Sequence, residues 1–333
     1  MKIDNFALTM HQSCPLKFWY RMENGWQLRR RSGALGFGAA FHAGIGEWYK
    51  HEHLTNKERL ELAVQAIHEG WDHSVPIDDY RTLIKCVTTF EEYTRFYPQE
   101  TFTVVGAPER PIVEQTFTLP LGTYLPCRLS WIKQDDPDDN RMDAYTRRQC
   151  NEPHDIFVAR CRCGRKKEPI EYGGIFDGLV EFGNKVYVFE HKTTSQLGSY
   201  YFTQFKPNNQ VTGYIWAAGQ LSGMDVAGAM INAIGVYKVG KTKFERQVTT
   251  RDKLDIAEWV RNVTASCEEI AAHRLTGIWP MRTISCTQYG LCEFHQVDTL
   301  SDPHWRQKRL ETDYVRSEWD YTRRDENAEG KST

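Results

Sequence analysis

The segment that most restricts this chain is a hairpin. Residues 174–182 (GIFDGLVEF) and 185–192 (KVYVFEHK) are apolar, strand-like runs separated only by Gly183 and Asn184. A two-residue turn of this kind sets the pairing register, because side chains alternate with a period of two and a one-residue slip would turn every one of them over. In that register Asp177, six residues before Gly183, faces Glu190, six residues after Asn184. Directly opposed residues hold their Cβ atoms about 4.5–5.5 Å apart, and like charges at that distance repel. The neighbours Ile175, Phe176, Leu179, Val188 and Phe189 are apolar. Two carboxylates placed this way call for a cation, and Mg²⁺ or Mn²⁺ suits hard oxygen ligands.

Lys192 follows Glu190 by two residues and so projects from the same strand face. A lysine there can orient an attacking water and stabilise charge developing on a phosphate as the ammonium, or deprotonate the water as the free amine. Glu-x-Lys by itself is a common surface ion pair on strand edges. The opposed Asp177 is what moves the reading to chemistry.

Around the hairpin the hydrophobic periodicity alternates between helix and strand. Residues 34–50, 56–72 and 78–96 read as helices, the last with Tyr80, Leu83, Ile84, Val87, Phe90 and Tyr93 at steps of three and four. Residues 112–131 read as strands, 207–221 as a helix, 227–238 and 243–250 as strands, and 253–276 as a helix. Residues 134–170, an acidic run followed by a basic cluster (Arg160, Arg162, Arg165, Lys166, Lys167), interrupt the pattern as a surface insertion. The expected organisation is one interlocked domain. It comprises a helical part over 1–110, a core over 111–250, and a helix, cysteine motif and charged tail over 251–333.

The chain is a folded-protein composition of 333 residues with 40 % hydrophobic and 26 % charged residues and a net charge of -2. That excludes a uniformly basic polyanion binder but not a local basic groove. No run approaches the roughly 20 apolar residues of a membrane helix, so no membrane partner is expected. The nine cysteines are odd in number and follow no apolar leader, which argues for reduced thiols in a cytoplasm rather than a secreted disulfide scaffold.

The order Asp177, hairpin, Glu190-His-Lys192-Thr resembles the core of the PD-(D/E)XK nuclease superfamily. Three further motifs resemble its RecB-like branch, which includes AddB-type recombination nucleases and CRISPR adaptation exonucleases. These are Cys14-Pro-Leu-Lys-Phe18, Gly38-Ala-Ala-Phe-His42 and Gln210-Val-Thr-Gly-Tyr214. The resemblance implies an α/β fold, a central mixed sheet flanked by helices, and a metal held by His42, Asp177, Glu190 and the His191 backbone carbonyl. It also implies that Gln210 and Tyr214 flank the site, touching the DNA backbone or Lys192. On composition alone, His42 reads more readily as a packed histidine of a small-residue helix. By spacing alone, Gln210 and Tyr214 are equally an ordinary polar helix face.

The same branch often carries a [4Fe–4S] cluster that ties its two ends together. Cys14, Cys286 and Cys292 match three of the positions, and Asp298 stands where the last cysteine is expected. Asp298 or His295 is then the candidate fourth ligand, with a Cys₃His zinc site or an empty relic as the alternatives. Cys150, Cys161 and Cys163, with Cys127 or His154, are candidates for a small zinc knuckle, but Cys161-x-Cys163 is tighter than ordinary zinc spacing, which favours unpaired loop thiols. Cys86 and Cys267 read as core residues.

Lys17, Arg21, Arg29, Arg30 and Arg31 interleave with Phe18, Trp19, Tyr20 and Trp26. Basic side chains neutralise phosphates and aromatics stack on single-stranded bases, so this stretch is a candidate DNA contact. Its plain alternative is a solvated charged face over buried rings. The expectation is a metal-dependent DNA nuclease, chiefly an exonuclease on ends or single strands, in a prokaryotic or phage-infected cell. Its product would carry a 5′ phosphate, and its setting would be replication, recombination, repair or defence. The competing expectation is a catalytically silent DNA-binding or partner subunit of a helicase–nuclease or CRISPR adaptation assembly.

Overall fold

Seven strands supply the frame: β1 (Lys2–Asp4), β2 (Thr103–Val104), β3 (Val113–Tyr124), β4 (Glu168–Phe182), β5 (Lys185–Thr194), β6 (Val226–Gly235) and β7 (Lys243–Thr250). The computed structural model describes residues 1–29, 33–73, 80–126, 166–288 and 290–322. Arg30, Arg31, Cys127, Cys150, His154, Arg160, Cys161, Arg162, Cys163 and Arg165 lie outside the described residues, as does most of the expected insertion. The strand order is β1-β4-β5-β6-β7, with β2 and β3 also pairing with β4. β1 joins β4 in parallel, β4 joins β5 antiparallel, β5 joins β6 in parallel, and β6 joins β7 antiparallel. The result is an α/β fold with a central mixed sheet flanked by helices.

The hairpin has the register its turn demands, running from Gly178↔Phe189 to Phe182↔Lys185. Gly183 and Asn184 both adopt left-handed backbone, with φ of 57° and 60°. That conformation matches the twist of the flanking strands, and glycine and asparagine are the residues that tolerate it.

The helices are α1 (Asn5–Ser13), α2 (Gly33–Lys50), α3 (Asn56–Glu69), α4 (Leu83–Phe96), α5 (Asn209–Ser222) and α6 (Lys253–Thr276). Their ends follow local chemistry. Thr55 and Glu58 form a reciprocal capping box on α3. The Asn208 side chain accepts the Val211 amide at 3.0 Å to start α5, and Gly223 ends that helix at φ 67°. α5 is the crossover that lets β5 and β6 pair in parallel.

The chain divides into two compact units, each drawn from several stretches of sequence. The first comprises Met1–Trp26, Thr118–Gly173 and Ala257–Leu310. In it the Asp4 carboxylate caps α1 by accepting the Ala7 amide at 2.8 Å, and the Trp259 ring of α6 meets Tyr172 edge-on at 5.0 Å. The second comprises Gln27–Phe117, Gly174–Ile256 and Glu311–Thr333. Its core packs Tyr187, Phe189, Met230 and Ile234 of the sheet with Phe37, Phe41 and Ile45 of α2, Ile67 of α3, and Phe90 and Tyr93 of α4. Among the described residues, no helix is long and apolar enough to cross a membrane.

Helices α2 and α3 touch through a glycine. A Cβ on Gly44 would lie 2.5 Å from Ile67 Cγ1 and 3.1 Å from the Ala63 carbonyl. Overpacking of this kind costs about 1–3 kcal/mol. Gly44→Ala is therefore expected to lower the thermal unfolding midpoint by roughly 1–4 °C, at about 1.4 °C per kcal/mol for a chain of this length. An unchanged midpoint in calorimetry would show that the helices separate at no cost.

Candidate active site

Every residue of this site belongs to the second unit. Small residues on α2 bring that helix against it. Gly38, His42 and Gly46 recur at intervals of four and share one helix face. A Cβ on Gly38 would lie 3.3 Å from Thr193 Oγ1 at the end of β5, and one on Gly46 would lie 3.0 Å from Glu114 Cγ. His42 sits between them, with Nδ1 3.3 Å from Asp177 Oδ1. The Gly-x-x-x-His spacing thus has a physical basis, since the glycine admits the strand end and delivers the imidazole one turn later.

Asp177 and Glu190 are each 2 % exposed. The second oxygen of Asp177, Oδ2, accepts the His191 backbone amide at 2.7 Å. Glu190 Oε1 accepts from Lys192 Nζ at 2.6 Å, whereas Glu190 Oε2 is buried with no hydrogen-bond partner. Burial, and then the charge of Asp177, push the Glu190 carboxyl up from its ordinary range, against the opposing pull of Lys192 and His42. Lys192 is also held by Gln210, whose Oε1 accepts from Nζ at 2.9 Å and whose Nε2 donates to Tyr214 Oη at 3.3 Å. Gly174 keeps room for Tyr214, since a Cβ there would lie 3.1 Å from its ring.

Among the described residues, one group of His, Cys, Asp or Glu side chains brings at least three ligand atoms together. It is His42, Glu114 and Asp177, whose ligand atoms all lie within 4.8 Å of one another. This set shares His42 and Asp177 with the set the resemblance implies and has Glu114 in place of Glu190. Sequence reasoning missed Glu114. Its backbone φ is 52°, left-handed and rare for glutamate, where β3 begins. The only sequence signal was a lone acid among Ile112, Val113 and Phe117. The donor set fits a hard divalent ion: one imidazole, two carboxylates, and beside them a buried carboxylate oxygen lacking a partner.

The other expected positions fall in different surroundings. Arg21 is 4 % exposed, and Phe18, Tyr20 and Trp26 are buried, so burial removes these four from the candidate DNA contacts. Lys17 pairs with Glu293 at 2.9 Å, and Arg29 donates to the Glu311 and Thr312 carbonyls. Phe18, Tyr20 and Trp26 are core of the first unit, and Trp19 is half-buried.

Cys14, Cys286, Cys292, His295 and Asp298 also belong to the first unit, and the three thiols are free. The Cys292 amide donates to the Cys286 carbonyl at 2.8 Å, and Tyr20 donates to Asp298 Oδ1 at 3.2 Å. Burial, then Cys14 and Asp298, push the Cys286 thiol up, which puts these groups within electrostatic reach of one another. Among the described residues they are not a set whose ligand atoms all lie within 4.8 Å of one another, the spacing of a single ion. Cys86 and Cys267 are buried core residues, as their helical positions predict.

A family model described as the PD-(D/E)XK nuclease superfamily matches residues 7–297. The crystal structure of a putative exonuclease from Eubacterium rectale is similar with a TM-score of 0.48 at 9 % identity, over 91 % of this chain and 90 % of that one. The crystal structure of SSO0001 is similar with a TM-score of 0.26 at 10 % identity, over 79 % of this chain and 84 % of that one. No curated protein sequence matches the chain.

Proposed function

This chain belongs to the PD-(D/E)XK nuclease superfamily, and on that premise we propose that it is a Mg²⁺- or Mn²⁺-dependent deoxyribonuclease acting as an exonuclease. The observation that carries the reading is the convergence of His42, Glu114 and Asp177 beside a lysine gripped by Glu190 and Gln210. A metal ion bound there supplies Lewis-acid stabilisation of phosphate charge and a lowered water pKa.

The residues of the chain divide the remaining work. His42, Glu114 and Asp177 present ligand atoms, and the unpartnered Glu190 Oε2 and the His191 carbonyl complete the acceptors on this side. Glu190 and Gln210 take two of the three Lys192 Nζ donors, which leaves the third to orient the attacking water or the scissile phosphate while the ammonium charge counters what builds on the phosphate oxygens. Gln210 can only accept from that ammonium through Oε1, so its Nε2 turns to Tyr214, and the pair holds Lys192 against free rotation.

Action on ends or single strands, and membership of the RecB-like branch, rest on the resemblance of the Cys14–Phe18, Gly38–His42 and Gln210–Tyr214 motifs. The cysteine group has Asp298 in the fourth place, where the resemblance implies a thiolate. No step of the hydrolysis is routed through it.

End-labelled linear DNA and covalently closed single-stranded circles, each with Mn²⁺ and with chelator, test the proposal. Linear substrates should be shortened only with metal while the circles persist. Equal loss of circles would overturn the exonuclease reading, and no cleavage of either with Mg²⁺ or Mn²⁺ would overturn the nuclease reading.

A further inference from the structure

Behind the catalytic strand lies a polar row that hydrolysis does not use directly. His191 of β5 is the register partner of Asn232 of β6, and Asn232 is the partner of Arg246 of β7. By alternation this row occupies the face opposite Glu190 and Lys192. His191 and Asn232 are buried among Tyr49, Tyr93 and Phe189.

The hydrogen bonds along the row have one consistent direction. Arg246 has donors only, so the Asn232 atom it meets at 3.2 Å is Oδ1. The amide nitrogen of Asn232 then points the other way, 3.1 Å from Tyr93 Oη and 2.9 Å from His191 Nδ1. Nδ1 must accept, which places the imidazole proton on Nε2. Arg246 is itself held by Glu100 through contacts of 2.5 and 3.1 Å, by Tyr93 at 2.7 Å, and against the Tyr97 ring at 3.6 Å. Tyr49 ties in by donating to Glu100 at 2.6 Å and stacking on the His191 ring. A buried ion pair is often replaceable by apolar side chains without loss of stability, so packing alone does not account for this one.

We propose that Asn232 and Arg246 are positioning residues for the metal site, acting through His191. With the ring held in one orientation and one tautomer, the His191 peptide is held too. The His191 backbone donates its amide to Asp177 and supplies the carbonyl that the resemblance implies as a ligand. The inference rests on the metal-dependent nuclease reading given above.

Asn232→Asp and Asn232→Leu test it, because both keep the side-chain size and neither can donate to Nδ1. Three measurements are needed on each full-length variant: Mn²⁺ titration calorimetry without DNA, steady-state cleavage, and ¹⁵N resonances of the His191 imidazole. Loss of a residue that orients a ligand through another group typically lowers metal affinity or activity about 10- to 100-fold. The expected result is a fall of that size in Mn²⁺ affinity or kcat, with KM for DNA within about threefold and a His191 Nδ1 resonance moved from its acceptor position. Unchanged Mn²⁺ affinity and kcat in both variants, with wild type binding and cutting, would overturn the positioning role alone. Equal losses in kcat, KM and thermal midpoint, with the Nδ1 resonance unmoved, would also overturn it by showing a structural role. A wild type that neither binds Mn²⁺ nor cuts would remove the underlying site reading as well.

Discussion

Lys192→Met is expected to lower the rate of DNA cleavage by about a hundred- to ten-thousand-fold, the range for a positioned proton-transfer or charge-stabilising group. Methionine keeps the length of the stem and removes every donor. The wild-type Lys192 side chain is 26 % exposed, and Glu190 and Gln210 hold its ammonium at 2.6 and 2.9 Å. Its loss also leaves Glu190 with both oxygens unpaired in a buried setting, where an uncompensated carboxylate is strongly disfavoured. Initial rates on labelled DNA at saturating Mn²⁺ give the measurement, with DNA affinity in Ca²⁺ as the control. Wild-type rates in the variant would remove Lys192 from the catalytic machinery. A loss confined to DNA affinity would make it a binding residue only.

Glu190→Gln is expected to abolish metal-supported cleavage and yet stabilise the metal-free protein. The wild-type carboxyl is raised from its ordinary value of 4.5, first by burial and then by Asp177. The sign follows from linkage. A group whose folded-state pKa is raised binds its proton more tightly when folded, so its favourable contribution is full below the unfolded value and is lost as pH rises through the folded value. Metal-free wild type should therefore lose stability as pH rises above about 4.5 through this group, and Glu190→Gln should lose less over the same window. At neutral pH the variant should unfold at a higher temperature, by about 1.4 °C for each kcal/mol gained. Mn²⁺ should reverse the order. A ligand at a hundred times its Kd adds about 2.7 kcal/mol to the state that binds it, and the variant binds it less. Thermal scans across pH, with and without Mn²⁺, check all of this. A metal-free variant less stable than wild type at neutral pH would show that the Lys192 pairing outweighs the opposed carboxylates.

The parts of the site that were legible in the sequence share a local cause. Gly183 and Asn184 pin one register, which the ladder keeps from Phe182↔Lys185 to Gly178↔Phe189, one pair short of Asp177 and Glu190. The intervals Gly38–His42 and Gln210–Tyr214 are single helical turns, so each pair shares a face wherever its helix lies. Asn208 and Gly223 bound α5 by capping chemistry confined to a few residues. Other parts depend on what lies across a long closure of the chain. Phe18, Tyr20 and Trp26 between basic residues look the same whether they stack on bases or fill a core, and only packing buried them.

By itself, then, the sequence determined the hairpin, its opposed carboxylates, the lysine on their face and the helical motifs that serve them, because turn residues and side-chain periodicity act over a few positions. The tertiary structure alone decided that Glu114 joins His42 and Asp177, and that Asn232 and Arg246 stand behind His191. A left-handed glutamate at a strand start and a three-strand polar row leave no periodic trace. They exist only once separate stretches of chain pair in register and burial forces each polar atom to find a partner.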